Sequence, residues 1–197
     1  KLLQQLLLED TKMVKVSELK KGQTIKGEFN NITRDLIKRY SKLGGFAKLA
    51  SNPIHDDDKT AKEAGHKGVI AHGLFSFGFI TKLLDDFIER EKHGKIIKVG
   101  VEMRYPVRCG DKLITEAIID KIEGKQIFFD IKQKTITKIR IEREGKVIKR
   151  FEADMRNYIS KKDYEKEHIK TKDTEEGILY YRERVNSPGY AVIELFE

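Results

Sequence analysis

At 197 residues, with 39% hydrophobic and 37% charged positions, the chain is long enough for one domain with a full core. It is too short for two ordinary enzymatic domains, and its balance excludes disorder or burial in a bilayer. The net charge of +8 favours anionic partners such as nucleic acid, phosphorylated cofactors or an acidic carrier protein, and charge alone does not choose among them.

No run approaches the roughly 20 apolar residues of a membrane span. The opening KLLQQLLLED lacks the basic start, unbroken apolar core and small-residue cleavage site of a signal peptide, so a cytoplasmic address is expected. Met13 opens MVKVSELKKG like a natural start, which sets residues 1–12 aside as a tag or N-terminal tail. Cys109 is the single cysteine, so neither an internal disulfide nor a thiolate metal site is available.

Within Val14–Asn31 a Lys-Gly turn leads into TIKGEFN, whose alternation predicts a first strand. Thr33 is suited to cap a helix over RDLIKRYSKL, with Leu36, Ile37 and Tyr40 on one face. Gly44-Gly45 ends it, a short FAKLAS piece follows, and Asn52-Pro53 predicts an extended loop before His55. Asp56, Asp57 and Asp58 can cap a short helix, DKTAKEAG, that Gly65 stops. HGLFSFGFITKLLDDFIER, from His72, carries apolar residues around nearly its whole circumference and calls for a wrapping partner.

The period then changes to two in KIIKVGVEMRYPV, DKLITEAIIDKIE, KQIFFDIKQKTITKIRIER and KVIKRFEADMRNYI. One apolar helix followed by a meander predicts an α+β protein, an antiparallel sheet wrapped around a central helix. Residues 160–172 are charged and expected to be exposed, and NSPG between ILYYRERV and YAVIELFE predicts a hairpin. The expected division is a domain over 13–159 and a C-terminal extension over 160–197.

Within Phe46–Leu84, NPIH and GVIAHG together resemble the signature of the MaoC-like family of (R)-specific enoyl-CoA hydratases and 3-hydroxyacyl dehydratases, in which an Asn-Pro-x-His loop precedes a Gly-rich turn and an Ala-His-Gly helix start. VEMRYPVRCGDKLI is similar to the family's strand, Pro and Gly-Asp turn, so the likeness spans residues 17–158. It implies a hot-dog fold, usually dimeric, that adds water to a trans-2-enoyl thioester or removes it from an (R)-3-hydroxyacyl thioester. Carried over by position, His55 is the acid–base imidazole, Asn52 shapes its loop, and the Gly73 amide donates to the thioester oxygen. Ala50, Ser51, Pro53, Ile70 and His72 fall where substrate is bound. No metal or redox cofactor is implied; coenzyme A or an acyl carrier enters as part of the substrate.

The chemistry also follows from the residues. Imidazole titrates in the range that proton transfer to and from water requires. A glycine at a helix start lets an oxygen approach free amides and the positive end of the helix dipole.

One departure weighs on this reading: the family places an aspartate five residues before the histidine, and here that position is Ala50, with no Asp or Glu anywhere from Leu36 to His55. Three explanations stay open. The chain is a noncatalytic thioester-binding subunit paired with a catalytic homologue; or it recruits a carboxylate from Asp56–Asp58 or a partner; or it catalyses a different acyl-thioester reaction such as hydrolysis, for which Ser51 and Lys48 are candidates without a visible activating partner.

Plainer readings stand beside the functional ones. His55 can be a loop histidine satisfied by backbone, His72 a packing residue, and His66 and His93 exposed. Asp57 and Asp58 can serve as caps, and Phe75, Phe77 and Phe79 as core rather than acyl-pocket lining. Arg104, Arg108 and Lys112 can form a solvated strand-end cluster rather than meet coenzyme A phosphates. No metal-ligand spacing occurs. A basic nucleic-acid binder is supported by charge alone.

Overall fold

The computed structural model describes residues 19–42, 52–90 and 94–196. The expectations for residues 1–12, Gly44-Gly45, FAKLAS with Lys48, Ala50 and Ser51, and His93 lie outside the described residues. In chain order the elements are β1 (Thr24–Phe29), α1 (Arg34–Lys42), α2 (Asp58–Glu63), α3 (Gly73–Arg90), β2 (Gly94–Val101), β3 (Asp111–Glu123) and β4 (Gln126–Arg143). There follow β5 (Lys146–Arg150), α4 (Glu152–Met155), α5 (Lys161–Glu165), β6 (Ile169–Thr174) and β7 (Gly177–Leu195). The strands form one antiparallel sheet with the path β1-β3-β4-β7-β2, with β5 beside β4 and β6 beside β7.

β3 and β4 follow from strict alternation and from a two-residue turn in which Gly124 takes a positive φ of 57°. Their inward residues Ala117, Ile119, Ile127, Phe129 and Ile131, with Ala191, Ile193 and Leu195 of β7, enclose Ile80, Leu83, Leu84, Phe87 and Ile88 of α3. A second apolar cluster of Ile32, Ile37, Ala71, Phe75, Val107 and Leu113 surrounds the start of the same helix. α3 is not wrapped on every side. Leu74, Gly78, Lys82, Asp85 and Glu89 form an exposed stripe, with Leu74 68% exposed and Phe77 and Phe79 only partly buried. The remaining circumference fits the sheet around it, as the apolar count demands.

Three local expectations change. NSPG is not a hairpin turn, because β7 runs straight through it: Asn186 is an extra residue at a bulge opposite Gln133/Lys134, and Pro188 pairs with Lys132. Gly189 is there because β2 crosses so closely that a Cβ would overlap Gly100 O and Val101. The hairpin lies instead at β6–β7, closed through Glu175-Glu176, and β7 sits between β4 and β2 as an interior strand, so the tail completes the sheet rather than extending it.

KVIKRFEADMRNYI is a strand only over Lys146–Arg150; with Phe151 as N-cap and Glu152 and Asp154 in the first turn, the chain folds into α4. The charged 160–172 segment is not uniformly exposed. Asp163 of α5 is buried beside Arg182 and Arg184 of β7, at 3.6 and 3.5 Å.

Candidate active site

The loop before His55 is compact rather than extended. Asn52 Oδ1 accepts from the Ile54 amide (3.3 Å) and Pro53 holds the first position of a single 3-10 turn, Pro53–His55. Ile70 fixes this turn from the opposite strand segment. Its amide donates to Ile54 O (3.3 Å), and its carbonyl lies 2.8 Å from His55 Nδ1. A carbonyl only accepts, so Nδ1 carries a proton and Nε2 is the nitrogen left for proton exchange. The sequence reading placed Ile70 against substrate; its backbone orients the imidazole.

His55 is buried and stacks on His72, with ring centroids 3.5 Å apart and planes 28° from parallel. An aromatic series continues through Tyr40, 5.5 Å from His72, then Phe75, Phe79 and Phe29. Burial, reinforced by the neighbouring His55, lowers the His72 pKa, with Asp56 acting in the opposite sense; His72 is therefore neutral at neutral pH. Its Nε2 is buried without a hydrogen-bond partner among the described residues.

His72 leads directly into α3. The first intrahelical donors are the Phe75 and Ser76 amides, both to His72 O at 3.1 and 3.4 Å, so the Gly73 and Leu74 amides belong to the unpaired set of a helix start. A Cβ at Gly73 would meet Met103 Sδ, the end of a flexible and half-exposed side chain lying over the helix start. The connection after β2 carries Met103 across the helix start, held by Glu102 N to Pro188 O (2.9 Å) and Arg104 N to Asn186 O (2.8 Å).

Below the first turn of α3 the sheet is polar. Gln133 Nε2 donates to Ser76 O (2.9 Å) and Thr115 Oγ1 (3.1 Å), and Asn186 Nδ2 donates to Gln133 Oε1 (3.3 Å). Gln133 was missed, although it shares its parity in β4 with Ile127, Phe129 and Ile131, which marks it as an inward side chain. Tyr40 shares one face of α1 with Leu36 and Ile37, but nothing local points to its contact with His72.

The three consecutive aspartates divide. Asp57 caps α2 through the Thr60 amide (2.6 Å), which with the Thr60 hydroxyl holds its carboxyl below the usual range. Asp58 takes the Val69 amide (3.0 Å), Arg34 (2.5 Å) and Arg156 (3.1 Å); burial pushes its carboxyl up, and those partners together bring it below normal. Asp56 accepts from Ser41 Oγ (2.9 Å).

Arg104, Arg108 and Lys112 do not form one solvated cluster: Arg104 pairs with Glu102, Lys112 pairs with Glu28, and Arg108 is buried over the Tyr158 ring with Nη1 on Gly68 O (3.3 Å). His66 is half-buried rather than exposed. Among the described residues no helix is long and apolar enough to cross a membrane.

A sheet curved around one helix, with an oriented imidazole at the helix start, defines a hot-dog protein. The family model described as MaoC like domain matches residues 13–144, and the chain belongs to that family. A curated relative, the peroxisomal hydratase-dehydrogenase-epimerase of Neurospora crassa, is 37% identical over 90 residues, covering 46% of this chain and 9% of that protein. The chain spans less than two thirds of the length of the curated relatives it matches.

Among solved structures, the (R)-hydratase of A. caviae involved in PHA biosynthesis superposes with a TM-score of 0.57 at 14% identity, over 92% of this chain and 100% of that one. The ChsH1-ChsH2 complex of Mycobacterium tuberculosis gives 0.55 at 10% identity, over 89% and 98%.

Proposed function

We propose that this chain is an acyl-thioester hydratase or dehydratase that interconverts a trans-2-enoyl thioester and its (R)-3-hydroxyacyl form, on coenzyme A or an acyl carrier. One observation carries the reading: a buried imidazole, tied through Nδ1 to Ile70 O, stacks on the residue that leads into α3. In the hydration direction His55 Nε2 takes a proton from water as the oxygen bonds to C3. Electron density moves to the thioester oxygen, which the Gly73 amide and the α3 dipole stabilise. The proton then returns to C2. Asn52 acts by shaping the turn, and no metal or redox cofactor is needed for these steps.

The test is loss of enoyl absorbance from crotonyl-CoA and longer enoyl thioesters, with His55→Ala lowering the rate by about 10²–10⁴-fold and leaving the circular dichroism unchanged. Activity that survives His55→Ala would overturn the assignment. Release of free thiol instead of hydration would make the protein a thioesterase.

A second reading has its own support in Ala50, where the family resemblance expects an aspartate. As a noncatalytic subunit the chain would bind acyl-CoA and stay silent until joined by a catalytic homologue, a heteromeric arrangement of the kind named for ChsH1-ChsH2. Ala50→Asp raising the rate of the isolated protein argues for the catalytic reading; activity only in the presence of a homologue argues for the subunit.

A further inference from the structure

Hydration needs one group to take a proton and charge balance for the cation this creates, yet from Leu36 to His55 the sequence holds neither Asp nor Glu. That exclusion applies whatever course residues 43–51 follow. Asp35, just upstream, pairs with Arg39 on the exposed side of α1 (2.8 Å). Asp57 is occupied as the α2 cap, and Asp58 by two arginines and the Val69 amide.

Asp56 is left, and it is held differently. Ser41 Oγ, at the end of α1, lies 2.9 Å from its carboxylate and equally from Lys38 O, so its one proton serves either acceptor, while the preceding residue, Tyr40, packs its ring against His72. The same turn of α1 therefore grips both the carboxylate and the second imidazole, and Asp56 directly follows His55 in the chain.

We infer that Asp56, fixed by Ser41, is the positioning carboxylate of the stacked His55–His72 pair and stands in for the aspartate absent at Ala50. The inference rests on the hydratase reading. Once His55 has taken a proton it is a cation stacked against the face of His72. Several titratable groups act on the pair: the Tyr40 ring of α1 lies 5.5 Å from that of His72, Asp56 after the 3-10 turn raises the His72 pKa, and His66 after α2 is lowered by both His55 and Arg108. Of these Asp56 carries the acidic side chain, and it acts to raise the His72 pKa.

The experiment compares Asp56→Asn, Asp56→Glu and Ser41→Ala with wild type in kcat, KM, pH–rate profile and the NMR titration of the two imidazoles. Asp56→Asn is expected to lower kcat at least about tenfold with KM little changed, to shift the acidic limb of the profile and to move the His72 titration to lower pH. Asp56→Glu restores part of both, and Ser41→Ala gives a weaker version of the same changes. Asp57→Asn, which keeps a capping oxygen, serves as the unaffected control.

Unchanged imidazole titration in Asp56→Asn overturns the inference, as does a retained kcat and pH profile. If the wild type acts on no enoyl thioester, the hydratase reading fails separately, and the titration alone then decides whether Asp56 governs the pair.

Discussion

Asp163→Asn isolates the interaction that pins the segment between β4 and β7 onto the sheet. The Asp163 side chain is 3% exposed; Arg182 and Arg184, at 3.6 and 3.5 Å, are 1% and 10% exposed. Asparagine keeps the shape and the oxygen that accepts from Ser160 N (2.8 Å) and Oγ (2.9 Å), so the change removes charge more than packing. Burial, with the neighbouring Arg182, lowers the Arg184 pKa to about 10 even with Asp163 and Asp111 raising it, so the variant leaves buried guanidinium less compensated. Removing one partner of a buried pair costs about 3–5 kcal/mol.

Arg182 keeps Tyr158 O (3.2 Å) and Thr137 Oγ1 (3.1 Å), which points to the lower end, about 3 kcal/mol. At a urea m value of about 3 kcal/mol/M, the midpoint falls by roughly 1 M. Burial pushes the Asp163 carboxyl up, but the Ser160 donors and the two arginines outweigh it and hold the pKa below normal. Its stabilisation is thus fully present above the unfolded carboxylate value of about 3.9 and is lost as pH falls through the folded one. The gap between wild type and variant should close on acidification. A loss under about 1 kcal/mol, or a gap independent of pH, would refute the reasoning.

Phe87, 2% exposed and edge-on to Phe129, should lose about 3–5 kcal/mol on replacement by Ala, and the partly buried Phe79 less; equal losses in thermal unfolding would contradict the burial difference. Cys109, whose pKa burial and Glu152 push up to about 11, should be ionised in roughly one molecule per thousand at pH 8. Iodoacetamide labelling should then be slow until urea unfolds the chain, and a rate matching free cysteine would exclude this environment. The outer edge of β2 has no strand beside it in the described sheet, and such edges invite pairing. Light scattering should give a dimer, and a monomer at every concentration would reject that expectation.

The bounds of β3 and β4 could be read nearly to the residue because alternation, Gly turns and burial agree there. β7 could not, because Ser-Pro-Gly has turn chemistry, and only the bulge against β4 and the close crossing of β2 make it strand. Asp163 looked like part of a solvated run, since the arginines that enclose it lie about twenty residues later and reach it only after β7 has paired. Propensity is local, and both cases were decided by partners distant in sequence.

The site divides in the same way. Asn52-Pro53 reads as an extended loop but forms a 3-10 turn through the Asn52 cap, whereas the Asp57 cap was legible from spacing alone. The stack of His55 on His72 joins two segments seventeen positions apart and depends on the Ile70 clamp, which no spacing rule encodes. The polar floor was encoded but overlooked: Gln133, Thr135 and Thr137 continue the inward register of Ile127, Phe129 and Ile131 and are all buried. The change from apolar to polar along β4 falls where α3 begins, and the cause is physical. A helix body offers only side chains to the sheet and is best met by hydrocarbon. At the helix start the sheet meets backbone as well: Gln133 donates to Ser76 O, using the lone pair that the helical ladder leaves free. The floor thus keeps the α3 start ordered beside the imidazole pair, and precision of that order is what stabilisation of a developing negative charge requires.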